Sequence, residues 1–158
     1  MSVSFKYQKE MKREIKFRLW DERYLKYFKP IYEAYKGNLL DMSITLSGEL
    51  QRRTMEKPAE HESNFPDRFI IEQFTGLHDK NGKEIYEGDM IETKFFPAYV
   101  ERISWKGKPD ATCEVYWDLS GFGLKAKGNE DYRYPDMCEL NYDETEIVGN
   151  IHLNPELI

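Results

Sequence analysis

The chain has little cysteine and no motif built on it. Cys113 and Cys138 are its two cysteines, 25 positions apart with no C-x-x-C between or around them. Neither a redox pair nor a zinc ribbon is available from such spacing, and both are expected to be reduced and structural. No apolar run approaches the 18 or so residues of a membrane span, and the first residues lack the apolar core of a signal peptide. The expectation is a cytoplasmic protein with no membrane partner. His61, His78 and His152 are scattered, and H-E-x-x-H does not occur. The phosphate-cradling patterns G-x-x-x-x-G-K-[ST] and G-x-G-x-x-G are missing too. An EF-hand counted from Asp79 fails, since Glu84 stands where glycine is needed and Met90 where an acid is needed. No cofactor, no metal site and no catalytic residue is therefore assigned.

Positive charge is also in deficit. A net charge of −6 and a pI near 5.2 argue against a protein whose whole surface binds nucleic acid, because counterion release needs clustered Lys and Arg. The distribution is uneven. From Met1 to Arg18, Lys6, Lys9, Lys12, Arg13, Lys16 and Arg18 face Glu10 and Glu14 alone, whereas Asn129–Ile158 carries eight acids against Arg133. Such polarity steers a partner or sets the two ends of the chain beside each other.

Aromatic residues are plentiful: 15% of the chain, with 11 Tyr, 9 Phe and 3 Trp among 158 residues. These residues favour strands and interfaces, and the length fits one domain, so the prior leans to β. Ile15, Phe17 and Leu19 alternate with Lys16, Arg18 and Trp20, the period-two signature of a half-buried strand with one wet face. Pro30 before IYEAYK and Gly37 after it carry the start and stop signals of a short helix. A second strand is read at Leu39–Leu46. Residues 50–66 read as an exposed polar loop, or a short helix up to Lys57 and then a connection.

Strand composition returns at Phe69–Phe74 and leads into TGLHDKNGKEIYEGDMIET. There Asp79, Asn81 and Gly82 form a tight-turn signal, and Gly88 with Asp89 forms a second. Ile85, Tyr86 and Ile91 are the expected core of this region. Further strands are read at Met90–Phe96, Tyr99–Trp105, Cys113–Trp117, Gly121–Lys125 and Glu146–Ile151. Short strands at this spacing, with Gly and Pro between them, point to a small barrel or strongly bent sheet.

Among candidate contact residues, Lys12, Arg13, Lys16 and Arg18 with Trp20 offer charge and stacking to single-stranded nucleic acid or to another partner. A plain strand with one solvated face explains the same pattern. The acidic stretch Glu139–Glu146 reads first as a solvated loop; the alternatives are a metal site or a mimic of a phosphate backbone. Asp79, Asn81, Gly82, Gly88 and Asp89 are read as structural turn residues.

REIKFRLWD (Arg13–Asp21), QFTGLHDKNGKEIYEGDMI (Gln73–Ile91), EVYWD followed by GF (Glu114–Phe122) and EIVGNIHLNPEL (Glu146–Leu157) occur in the order found in the YopX family of bacteriophage and prophage proteins, which the chain resembles. The resemblance implies a phage setting and a mainly β fold, α+β at most. It supplies no reaction.

The expected layout is a basic N-terminal arm at 1–12 and a YopX-like domain at 13–158. That domain would have an N-terminal strand region at 13–68 with one or two short helices, and at 69–158 a strongly bent antiparallel sheet or SH3-like barrel. The function expected first is non-catalytic binding to a host or phage macromolecule, a protein rather than nucleic acid, with self-association into a homo-oligomer open. The alternatives are a nucleic-acid-binding regulator using the basic arm and first strand, and a small-ligand-binding protein or enzyme.

Overall fold

The computed structural model describes residues 14–94, 110–118, 121–126, 133–134 and 142–157. Lys12, Arg13, Cys138, the strand expected at Tyr99–Trp105 and the arm at 1–12 lie outside these. The fold is mainly β, with a strongly curled half-barrel antiparallel sheet. The chain divides into two compact units, one formed by Arg18–Ile71 and the other by Met1–Phe17 with Glu72–Ile158.

In Arg18–Ile71, β1 (Phe17–Asp21) pairs antiparallel with β2 (Lys26–Tyr27), placing Trp20 opposite Tyr27. The period read from the sequence is present, but its phase is inverted: Ile15 and Phe17 are exposed, while Trp20 is only 2% exposed and packs edge-on against Tyr27 at 5.2 Å. Burying the largest aromatic surface outweighs burying Ile15 and Phe17. Arg18, on the same face, lays its guanidinium 4.6 Å from the Tyr27 ring centre.

A meander of β3 (Ile31–Glu33), β4 (Asn38–Ile44), β5 (Leu50–Thr54) and β6 (Glu60–His61) follows. Two expectations fail here. The helix expected after Pro30 is a strand and then a single 3-10 turn, Ala34–Lys36, closed by Gly37 at φ 73°. Three residues without a side-chain cap cannot repay helix nucleation, and pairing Ile31 with Leu40 and Tyr32 with Leu39 satisfies the backbone instead. Residues 50–66, expected as a polar loop, hold β5, β6 and a second 3-10 turn at Glu62–Asn64. Their mixed charges pair across the ladder: Arg52 lies opposite Glu60, and its Nε donates to Glu60 Oε2 at 2.8 Å. A polar strand is stabilised when opposite charges face each other.

β7 (Phe69–His78) begins within Arg18–Ile71 and continues into the other unit, where it pairs with β8 (Glu84–Tyr86), with an irregularity between the Phe74 and His78 pairs. A five-stranded antiparallel sheet runs in the order β12 (Arg133–Tyr134), β11 (Gly121–Ala126), β10 (Asp110–Asp118), β9 (Asp89–Lys94), β13 (Glu146–Asn150). Ile85, Met90, Ile91, Cys113, Val115 and Leu124 are buried and form its core, with Cys113 directly opposite Ile91. Burial pushes the Cys113 thiol up to about 12, so it stays protonated and packs as a small apolar group.

Between β7 and β8 the Asp79 carboxylate organises the turn. Its Oδ1 accepts from the Asn81 and Lys83 N–H groups at 2.8 and 2.9 Å, and Oδ2 accepts from Ile147 N–H at 3.3 Å. Gly82, at φ 77°, donates its N–H to the Asp79 carbonyl. Burial alone would raise the Asp79 carboxyl, but the Lys83, Ile147 and Asn81 N–H groups outweigh it and hold it below the ordinary aspartate value of 3.8.

A folded value below the unfolded one means a stabilisation fully present above pH 3.8 and lost as pH falls through the folded value. Asp79→Asn is therefore expected to be less stable than the parent at neutral pH. It should lose less further stability between about pH 5 and about pH 2, measured by urea unfolding across that range. Parallel losses in both proteins would remove Asp79 from the acid response.

Candidate functional site

The hairpin tip between β1 and β2 is built on Asp21. Its Oδ1 accepts from the Arg23 and Tyr24 N–H groups at 3.0 and 3.3 Å, and Arg68 closes a two-pronged ion pair, Nε to Oδ1 at 3.2 Å and Nη2 to Oδ2 at 2.8 Å. Burial would raise this carboxyl, but the Arg68 guanidinium and the two N–H groups lower it overall. An aspartate that turns the chain through its own following N–H groups is a common turn device.

This turn leaves Tyr24 58% and Leu25 67% exposed, with Leu25 in the left-handed region at φ 49°. A bulky aliphatic residue at positive φ is a genuine outlier: Gly or Asn would sit there with less strain. Three cations surround the Tyr24 ring, Arg68 at 5.2 Å, Lys26 at 5.6 Å and Arg23 at 5.9 Å from its centre.

Behind the tip, Phe65 and Phe69 meet edge-on at 5.6 Å, and Phe28 meets Phe69 at 6.2 Å. Arg68 also lies over Phe69 and Arg52 over Phe65, at 4.7 and 5.5 Å. The turn Phe65–Arg68 contains Asp67 at φ 54°, the other non-glycine residue at positive φ among the described residues. Two concavities share this turn. One, of about 400 Å³, is lined on its apolar side by Leu50, Phe65, Phe69 and Ile71. The other, of about 580 Å³, is lined by Arg23, Arg52 and Arg68 with Glu22, Asn64 and Asp67. Both lie within Arg18–Ile71, as do both strained residues and the exposed tip. Chemically, such a surface offers apolar recesses, guanidinium donors on rigid aromatic supports, and no deep enclosed cleft.

Of the contact residues expected from the sequence, Lys16 forms ion pairs with Glu14 at 3.0 Å and with Glu84, and its ammonium lies 5.3 Å from the Phe74 ring centre. Its pKa is held above the ordinary lysine range by Glu84 first and then Glu14. Arg18 covers Tyr27, and Trp20 is buried, so Trp20 presents no stacking face. Lys16 and Arg18 fall in different units.

Gly88 has φ 75° and Asp89 accepts the Tyr86 N–H on Oδ2 at 2.9 Å, which makes this segment a tight turn. His152 and Glu72, given no role by sequence reasoning, form a buried pair with Nε2 2.8 Å from Oε1. Their 80-residue separation leaves no local signal. The Tyr24–Leu25 tip was equally hidden, since a leucine inside a basic turn has no motif. Among the described residues no group of three or more His, Cys, Asp or Glu side chains could hold a metal ion. No helix of the described residues is long and apolar enough to cross a membrane.

No curated protein matches the chain. Among solved structures it is similar to the crystal structure of protein EF1440 from Enterococcus faecalis, with 25% identity and a TM-score of 0.51 over 91% of this chain and 97% of that one. The family model described as YopX protein matches residues 16–158, nearly the whole chain, and the protein belongs to the YopX family.

Proposed function

We propose that this YopX protein is a bacteriophage or prophage accessory factor that works without catalysis, in the host cytoplasm, by binding another protein through the surface of Arg18–Ile71. The observation that carries this reading is the exposed Tyr24–Leu25 tip, held at a positive φ beside two concavities with arginine and aromatic walls. Backbone strain persists where the surroundings impose it, and such places cluster at binding and switching sites. Tyr and Arg on rigid supports are the residues that dominate protein interfaces. The phage setting comes from the family resemblance.

Nucleic acid is the less favoured ligand. Arg18–Ile71 carries nine basic and nine acidic side chains, so the net charge of −6 resides in the rest of the chain. Within Arg18–Ile71 the charges cancel, so this surface has no net positive charge with which to release counterions.

The test is capture from phage-infected host cells on the immobilised full-length protein, with and without nuclease, beside a Tyr24→Ser/Leu25→Asn variant. One protein should be retained by the parent, be insensitive to nuclease and be lost with the variant. Retention that nuclease abolishes, or that the variant leaves intact, would reject the reading.

A further inference from the structure

The chemistry of the partner can be narrowed from the charge at the tip, on the reading above that the ligand is a protein. From Arg23 to Lys29 the sequence carries Arg23, Lys26 and Lys29 and no acid. Arg68 is neutralised by Asp21, and Arg52 by Glu60. Arg23 and Lys26 differ: among the described residues neither has a carboxylate within ion-pair reach, and each rests over the Tyr24 ring. A cation on an aromatic face gives up part of its hydration and stays available to an anion approaching from solvent. Leu25 projects apolar surface between these two cations in sequence, and the 400 Å³ recess lined by Leu50, Phe65, Phe69 and Ile71 lies in the same unit.

We infer that the tip and the adjoining recess form a docking site for a partner segment in which an apolar side chain is flanked by aspartate or glutamate. The apolar side chain meets Leu25 or enters the Phe65–Phe69 recess, and the flanking carboxylates pair with Arg23 and Lys26. Charge complementarity sets the choice of partner, while the apolar anchor supplies most of the affinity. A single-stranded nucleic acid shares the negative charge but finds the aromatic faces at the tip already covered by cations. The faces of Tyr24 and Tyr27 are already attended by Arg23, Lys26, Arg68 and Arg18, and Trp20 is buried.

The experiment pans a random-peptide library on the full-length chain, then titrates the best peptide, and separately oligothymidine, against the parent and three variants. The expected result is enrichment of peptides with an apolar residue between acids. Their affinity should fall about tenfold or more in Arg23→Glu/Lys26→Glu. It should also fall in Leu25→Asn, whose melting temperature should be unchanged or higher because Asn accepts positive φ. That stability readout separates lost contact from lost fold. The third variant, Lys36→Glu, reverses a charge in the Ala34–Lys36 turn, which lines neither concavity, and should leave affinity unchanged.

Enrichment of basic or uncharged peptides, or binding indifferent to the tip variants, overturns the acidic assignment while protein binding itself stands. No enrichment at all overturns a linear acidic segment as the ligand. Oligothymidine bound through Arg23 and Lys26 with strong salt dependence overturns both this inference and the function it rests on. If Leu25→Asn dissociates a dimer of the free protein, the occupant is a second copy of this chain, and the acidic-segment assignment fails.

Discussion

Replacing His152 by alanine is expected to cost about 3 kcal/mol of folding stability, the combined scale of a buried acceptor deprived of a partner and of a cavity left by a truncated side chain. His152 Nε2 lies in hydrogen-bond contact with Glu72 Oε1 at 2.8 Å, and the two side chains are 9% and 3% exposed. The substitution withdraws a donor from a carboxylate that water reaches poorly, and it leaves a void where the imidazole packed. Glu72 also bears on its neighbourhood. Burial first, and then the Glu72 charge, raise the pKa of Glu87, so a Glu72 deprived of its imidazole sits beside a second carboxylate already resisting ionisation.

Glu72→Gln with His152 intact is expected to cost less, because the amide keeps a hydrogen bond to the ring and removes the buried charge. Urea unfolding of parent, His152→Ala and Glu72→Gln at neutral pH measures both. A loss below about 1 kcal/mol for His152→Ala would show that the pair is solvated in practice.

Where the signal was local, the sequence was legible. The D-K-N-G turn uses the backbone hydrogen bonds its composition implies, and Ile85 and Ile91 are buried as expected, although Asp89 and Met90 beside Ile91 are buried too, so this strand does not alternate. Tyr86 is half-buried, and its hydroxyl donates to Glu84. Three features were not legible, each for a physical reason. The phase of β1 is set by what lies against each face: a strand with Trp20 on one side and Phe17 on the other alternates either way, and only packing chooses. The strand at Leu50–Thr54 is polar, and its stability comes from Glu60 and His61 opposite Arg52 and Gln51, residues that propensity weighs as loop formers. The candidate surface joins residues 22–25 to residues 50–71, and its most telling feature is a backbone angle at Leu25 that no side-chain pattern announces.

Gly88→Ala is expected to destabilise the protein by about 2–4 kcal/mol, the sum of backbone strain and a steric conflict that cannot relax cheaply. At φ 75° an added Cβ is strained in any surroundings, and here it would stand 2.7 Å from Glu72 Oε1 and 3.2 Å from two Ile151 side-chain carbons. A carboxylate oxygen at the end of a free side chain would swing away, but Glu72 is held by His152. Moving the backbone instead is no easier: the Gly88 N–H donates to the Val115 carbonyl at 2.8 Å, and its carbonyl accepts from Ile151 N–H at 2.9 Å. Gly88 thus joins β10 to the end of β13, and the absence of a side chain makes room for the buried carboxylate. The two sites should therefore couple. In a double-mutant cycle Gly88→Ala should cost less in a Glu72→Ala background, by about 1 kcal/mol or more, because truncation removes the oxygen that the new methyl meets. Additive losses in the cycle would show that strain at φ 75° accounts for the whole effect and that the contact with Glu72 contributes nothing.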